Sequence, residues 1–211
     1  HINVYTDLFF ASYINNAAAA MKYANLIALT PLGIISNMIL VPMLPVFSRL
    51  AVPESWGELK VRIRQGLLLS ALTMLPLTAI LVTLAFPVVR FIYQRYAFDQ
   101  AALDVVAPVL VAYGLGMFFY LGRDVLVRVF YALGDGTTPF RISIFNIFLN
   151  GVLDYIFMNL FQTPGLILST IGVNITSMFL MLWVLNRRLN GLPLLQWGKI
   201  LLLLIVGTIA A

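Results

Sequence analysis

The chain has 211 residues, of which 62% are hydrophobic and 10% charged, with a mean hydropathy of +0.98. A soluble domain of this length has too little interior to hide so much apolar surface, which excludes an ordinary cytoplasmic enzyme and points to a bilayer as solvent. The net charge of +5 is explained by basic residues in the turns between apolar segments rather than by nucleic-acid binding, and the absence of cysteine excludes disulfides and thiolate metal sites.

A helix needs about 20 apolar residues to cross the hydrocarbon core. Taken in order, a short apolar run at 2–14 reads as the end of a span, interrupted by Asp7. It lacks the basic leading region of a signal peptide. Windows at 19–47, 66–92, 102–132, 140–161, 164–185 and 194–211 then follow as six spans. The chain opens at His1 already in hydrophobic sequence and stops at Ala211 without a polar flank, which is the pattern expected of a piece of a longer membrane protein.

The window 19–47 carries Pro31, Pro42 and Pro45, so a bend or break is expected there, either absorbed by neighbouring helices or used as a hinge. Residues 53–65 are polar. Pro53, Glu54 and Glu58 come early and Lys60, Arg62 and Arg64 late, which suits the dipole of a short helix lying along the membrane surface. Pro76 and Pro87 fall in the next span. Arg90, Tyr93, Arg95 and Tyr96 then form an interfacial belt, and Asp99 is a candidate cap for the helix that contains Asp104.

Basic residues set the orientation. Alternate turns carry Arg49, Lys60, Arg62, Arg64, Arg141, Arg187, Arg188 and Lys199, against Lys22, Arg90 and Arg95 on the opposite side, so the first set is expected in the cytoplasm. The first helix then runs outward and ends near Asn15 and Asn16.

Ionisable groups at bilayer depth cost at least ~2.5–3.5 kcal/mol and mark ion or substrate routes. In 102–132, Asp124 and Arg128 are four apart and can pair on one helical face, while Arg123 points about 100° away and is available to another partner. This group is either an ion pair between helices or a cationic lining for an anionic substrate. In 140–161, Asn146, Asn150 and Asp154 form one polar stripe at i, i+4 and i+8. Asp7 adds a second intramembrane carboxylate, and Thr170 and Asn174 add oxygens from the following helix. Such oxygens suit a hard cation such as sodium, although the amides could equally serve helix packing, and the carboxylates could be protonated or paired with Arg123. No resident cofactor is implied. Gly134-Asp135-Gly136-Thr137-Thr138-Pro139 lacks the lysine and spacing of a phosphate loop and reads as a tight turn. No nucleophile–base constellation is present, so no enzyme activity is expected.

At that turn, FYALGDGTTP (130–139) resembles the signature of the MurJ/MviN lipid II flippases. TDLFFAS (6–12), KYANLIALTPLGI (22–34), LPVFSRL (44–50), AYGLG (112–116) and PGLILST (164–170) agree in order. The resemblance covers essentially the whole chain. It implies an all-α, polytopic helical bundle of the multidrug/oligosaccharidyl-lipid/polysaccharide exporter fold. Residues 1–191 would be its second six-helix lobe and 192–211 the start of an additional transmembrane helix. The implied activity is alternating-access movement of lipid II, the lipid-linked peptidoglycan precursor, across the bacterial plasma membrane. It would be coupled to a cation or to the membrane potential and shared with a first lobe that precedes this chain.

The resemblance places Asp7, Asn150, Asp154 and Thr170 where relatives with a cation site have oxygen ligands. Many relatives have Tyr-Ala-Asp-Arg on the eighth helix, the Arg facing pyrophosphate. Here the residues are Tyr23-Ala24-Asn25-Leu26. Lys22, one turn before Leu26, is the candidate replacement, with Asn25, Arg123 and Arg128 as the other candidate substrate contacts. The alternatives are export of another lipid-linked oligosaccharide or a drug on the same fold, or a non-transporting envelope scaffold.

Overall fold

The computed structural model describes residues 2–14, 16–93, 100–194, 197, 198 and 204. Its helices are α1 (Ile2–Ala11), α2 (Ala17–Arg49), α3 (Trp56–Thr83), α4 (Ala85–Tyr93), α5 (Gln100–Ala132), α6 (Thr137–Phe161) and α7 (Thr163–Arg188), with one 3-10 turn at Pro53–Ser55. Five segments among the described residues are long and apolar enough to cross a membrane: α2, the run from Pro53 to Thr83, α5, α6 and α7. The expected polytopic helical bundle is what forms. Asn15, Arg95, Tyr96, Asp99 and Lys199, and nearly all of the last expected span at 194–211, lie outside the described residues.

Of the expectations about the early helices, the surface helix is corrected, and of the bend or break at the α2 prolines the break does not occur. No separate surface helix occupies 53–65, because Trp56 to Thr83 is one continuous helix. Leu59 and Ile63 are buried in it, so the apolar face of the polar stretch docks on the bundle and carries the helix onward without a break. Nor is the helix interrupted at the prolines of α2, which runs through Pro31, Pro42 and Pro45. In a bundle, packing against neighbouring helices holds a helix together past the carbonyls that its prolines leave without a donor. A break does occur in the expected span 66–92, at Leu84. Pro87 cannot donate to the Thr83 carbonyl and its ring crowds that group, which separates α3 from α4.

Helix α5 is the centre of the bundle, packed by α2, α3, α4 and α7, while α6 lies against α7 with α1 beside it. Glycines set the close approaches. A Cβ on Gly114 would meet Leu81 of α3, and one on Gly116 would meet Ile171 of α7. Thr78 donates to the Gly114 carbonyl at 2.7 Å across this contact. In lipid, where helix association relies on packing and interhelical hydrogen bonds, such small residues let backbones come together. One end of the bundle gathers Arg49, Arg141, Arg187 and Arg188 at helix termini and is called the basic end below.

Candidate functional site

The polar stripe of α6 faces inward. Asn146, Asn150 and Asp154 are all buried, the last two completely, although α6 otherwise exposes a row of large apolar side chains that includes Phe148 and Leu160. Helical spacing explains this: the three positions share one face, and that face is turned toward α1 and α7. Asp7 of α1 reaches the same point and is 7% exposed.

A single amide joins the two carboxylates. Asn150 Nδ2 donates to Asp7 Oδ1 at 2.8 Å and to Asp154 Oδ2 at 2.7 Å. Thr170 of α7 donates to Asp7 Oδ2 at 3.2 Å, and the neighbouring Ser169 donates to Asp154 Oδ1. Each of the four carboxylate oxygens therefore has one donor. The candidate cation ligands Asp7, Asn150, Asp154 and Thr170 come together from three helices. Ser169 completes the cluster and was not singled out from the sequence; its signal was its place beside Thr170 on a helix facing the stripe.

The cluster's donor set is all oxygen, and Asn150 Oδ1 is buried without a hydrogen-bond partner. An acceptor left over beside two carboxylates fits a small hard cation, which needs carbonyl and carboxylate oxygens and no softer ligand. Among the described residues no group of three or more His, Cys, Asp or Glu forms a metal site, so the chemistry here is that of a carboxylate pair supplemented by neutral oxygens.

Asp7 and Thr170 also line a cavity of about 580 Å³ between α2, α5, α6 and α7. Toward the basic end the cavity continues past Asn146 and Asn174 to Ser143 and Arg123. Asn25 enters it from α2, donating to the Tyr113 hydroxyl at 3.3 Å. Of the candidate substrate contacts, Asn25 and Arg123 thus share the cavity with the cluster. Lys22 and Arg128 do not line it: Lys22 is exposed on α2 one turn from the equally exposed Leu26, and Arg128 is half-buried on α5.

The pairing expected within α5 is different in the structure. Arg123 Nη1 lies 3.6 Å from Asp124 Oδ1, and its Nε donates to Ser177 Oγ at 3.3 Å. Successive residues point apart along a helix, but a guanidinium on four rotatable bonds can fold back to its neighbour while keeping a hydrogen bond to α7. Arg128 acts on Asp124 only through its charge.

The Gly134–Pro139 segment is the tight turn expected. Gly134 takes φ 71°, a conformation open to glycine, and Asp135 N donates back to the Phe130 carbonyl at 2.9 Å, closing α5. The Asp135 carboxylate then accepts from Thr137 Oγ1, Thr138 N and Thr138 Oγ1 at 2.7–3.0 Å, capping α6. Arg188, at the end of α7, pairs with it at 2.7 Å and donates to the Leu133 carbonyl at 3.3 Å. Despite some desolvation, the Thr138 and Thr137 hydrogen bonds and the Arg188 charge hold the Asp135 carboxyl down at about 2. The sequence suggested the turn but not this clamp between three helix ends.

A bundle of spanning helices around a paired-carboxylate cluster and a polar cavity defines a polytopic integral membrane protein. A family model described as lipid II flippase MurJ matches residues 1–211, and the chain belongs to that family. The probable lipid II flippase MurJ of Synechocystis sp. is 69% identical over 198 residues, which cover 94% of this chain and 37% of that relative. The corresponding protein of Rickettsia prowazekii is 29% identical over 173 residues, covering 80% of this chain and 33% of the relative. The chain therefore spans about a third of the length of these relatives. A solved structure, lipid II flippase MurJ in an inward closed conformation, superposes with a TM-score of 0.81 at 22% identity over 100% of this chain and 44% of that one, which is a likeness of fold.

Proposed function

We propose that this chain is the second lobe of a lipid II flippase of the bacterial plasma membrane, with residues 1–191 as the six-helix lobe and 192–211 as the start of an additional helix. The basic end faces the cytoplasm, as the distribution of Arg and Lys requires. The lobe moves its substrate across the bilayer without transforming it. The cycle rocks this lobe against a partner lobe so that a shared cavity opens to each leaflet in turn, the pyrophosphate meeting cationic side chains while the polyprenyl tail stays in or beside lipid.

The observation that carries this reading is the convergence of Asp7 and Asp154 on Asn150 inside the bundle. Two carboxylates on one amide in a poorly hydrated interior repel unless a counter-charge joins them, and either sodium or a proton supplies it. A cation that prefers one state of the lobe shifts the populations by its differential affinity for the two states. A scaffold has no use for such a pair. Export of a different lipid-linked oligosaccharide on the same fold is favoured by one observation, the exposed Leu26 at a position where the family resemblance implies Arg.

Complementation tests the reading. The full-length protein should restore growth and lipid II translocation to a bacterium depleted of its own flippase, and the Asp7→Ala, Asp154→Ala double variant should not. Failure of the wild-type protein, present in the membrane in normal amount, would overturn the substrate assignment.

A further inference from the structure

Asn146 lies one turn from Asn150 on the stripe and is 2% exposed, yet its Oδ1 has no hydrogen-bond partner. The exposed Asn37 and Asn159 instead return their amide nitrogens to carbonyls of their own helices, at 2.9 and 2.8 Å, with their remaining polar atoms open to the surroundings. A buried acceptor without a donor costs about 1–3 kcal/mol. Here two occur in succession, Asn146 Oδ1 and Asn150 Oδ1, on one face that leads to the carboxylate pair. Asn146 also lines the cavity, between the end that holds Arg123 and the end that holds Asp7 and Thr170.

We propose that Asn146, with Ser143 on its own helix and Asn174 across the cavity on α7, forms a second, uncharged oxygen station for a partly hydrated monovalent cation. The station lies on the ion's path from the basic end to the carboxylate cluster. The proposal rests on the cation reading of that cluster. Amide and hydroxyl oxygens replace part of a hydration shell without the charge that would trap an ion, whereas a divalent ion requires carboxylates. The station is useful because of Arg123. Its positive charge at the mouth, only partly offset by Asp124 at 3.6 Å, opposes an incoming cation, and oriented oxygen dipoles just beyond it lower that barrier.

The test uses the purified full-length protein and radiolabelled sodium as the only probe, with binding followed by rapid filtration. Asn146→Leu should slow association and dissociation together by roughly tenfold, the effect of ~1.4 kcal/mol on a barrier, while equilibrium affinity stays within about twofold. Asn146→Asp, which adds charge to the station, should change association in the opposite direction, a result that general damage to the fold would not produce. Wild-type rates in Asn146→Leu would overturn the station while leaving the cluster intact. A loss of affinity as complete as that of Asp154→Asn would also overturn it, making Asn146 part of the cluster itself. A wild-type protein that binds no sodium would overturn the cation reading, and the station with it.

Discussion

Asp7 and Asp154 share one hydrogen-bond donor group: the Asn150 amide nitrogen lies 2.8 Å from the first carboxylate and 2.7 Å from the second. The two acids lie on the first and sixth helices, and nothing in the backbone ladder holds α1 to α6. Their meeting is a property of side chains. It concentrates the electrostatic cost of the bundle at one point.

Asp154→Asn in the full-length protein should therefore abolish sodium-dependent thermal stabilisation, which in the wild type grows with the logarithm of sodium concentration above Kd. Asn150→Leu should be worse for folding, because it removes the shared donor from both carboxylates. A loss of about 3–5 kcal/mol is expected, as for a buried charge stripped of its partner. Melting curves across a sodium series check both, and an unchanged sodium response in Asp154→Asn would reject the site.

Lys22 lies one turn from Leu26 on the same exposed face of α2. If it supplies the charge that the family resemblance implies at the position of Leu26, Lys22→Ala should lower lipid II translocation by the full-length protein several-fold, and Leu26→Arg should restore it. Wild-type translocation by Lys22→Ala would remove Lys22 from the substrate path.

Asp135 makes a pH prediction outside the membrane spans. Despite some desolvation, hydrogen bonds from Thr138 and Thr137 and the Arg188 charge hold its carboxyl at about 2 in the folded chain, below the ordinary 3.8 of an aspartate. A depressed folded pKa gives stability that is present above the unfolded pKa and lost as pH falls through the folded one, so the contribution should vanish between about pH 4 and pH 2. After screening by solvent and salt it amounts to about 1–2 kcal/mol. Asp135→Asn should remove that acid-sensitive component from unfolding curves in detergent, and Arg188→Gln should remove part of it.

The α6–α7 junction gives a pair of opposite predictions. Gln162 takes φ 55° and ψ −132°, a conformation that glycine adopts without strain, so Gln162→Gly should stabilise the hairpin by about 1 kcal/mol. Three residues on, a Cβ at Gly165 would run into the Phe157 carbonyl, and that atom belongs to a helix backbone which cannot step aside. Gly165→Ala should cost about 1–3 kcal/mol by overpacking. Thermal unfolding of the two variants measures both directions.

Much of this was readable from residue order, for identifiable reasons. Asn146, Asn150 and Asp154 announce themselves because amides and acids at i, i+4 and i+8 have only one place to go in an apolar helix. Asp7 and Thr170 were legible through their chemistry and through the family resemblance. Ser169 was not, since serine is common in membrane helices and its partner lies on another helix. The Arg123–Asp124 contact was missed because helix geometry fixes Cβ directions, not the end of a long side chain. Pro87 broke its helix, but Pro31, Pro42 and Pro45 did not. Proline reports only that a carbonyl is released, and the packing around it decides whether the backbone parts. The Asp135–Arg188 clamp joins residues far apart in the chain, and no local pattern encodes it.

The hairpin α6–α7 carries Asn150, Asp154, Ser169 and Thr170 as one preassembled cup, whereas Asp7 reaches it from α1. If a cation or proton supplies the counter-charge, withdrawing it would set like charges against each other across that seam. Helix α1 would then recoil as a spring-loaded strut, turning the chemistry of a single ion into movement at one edge of the bundle.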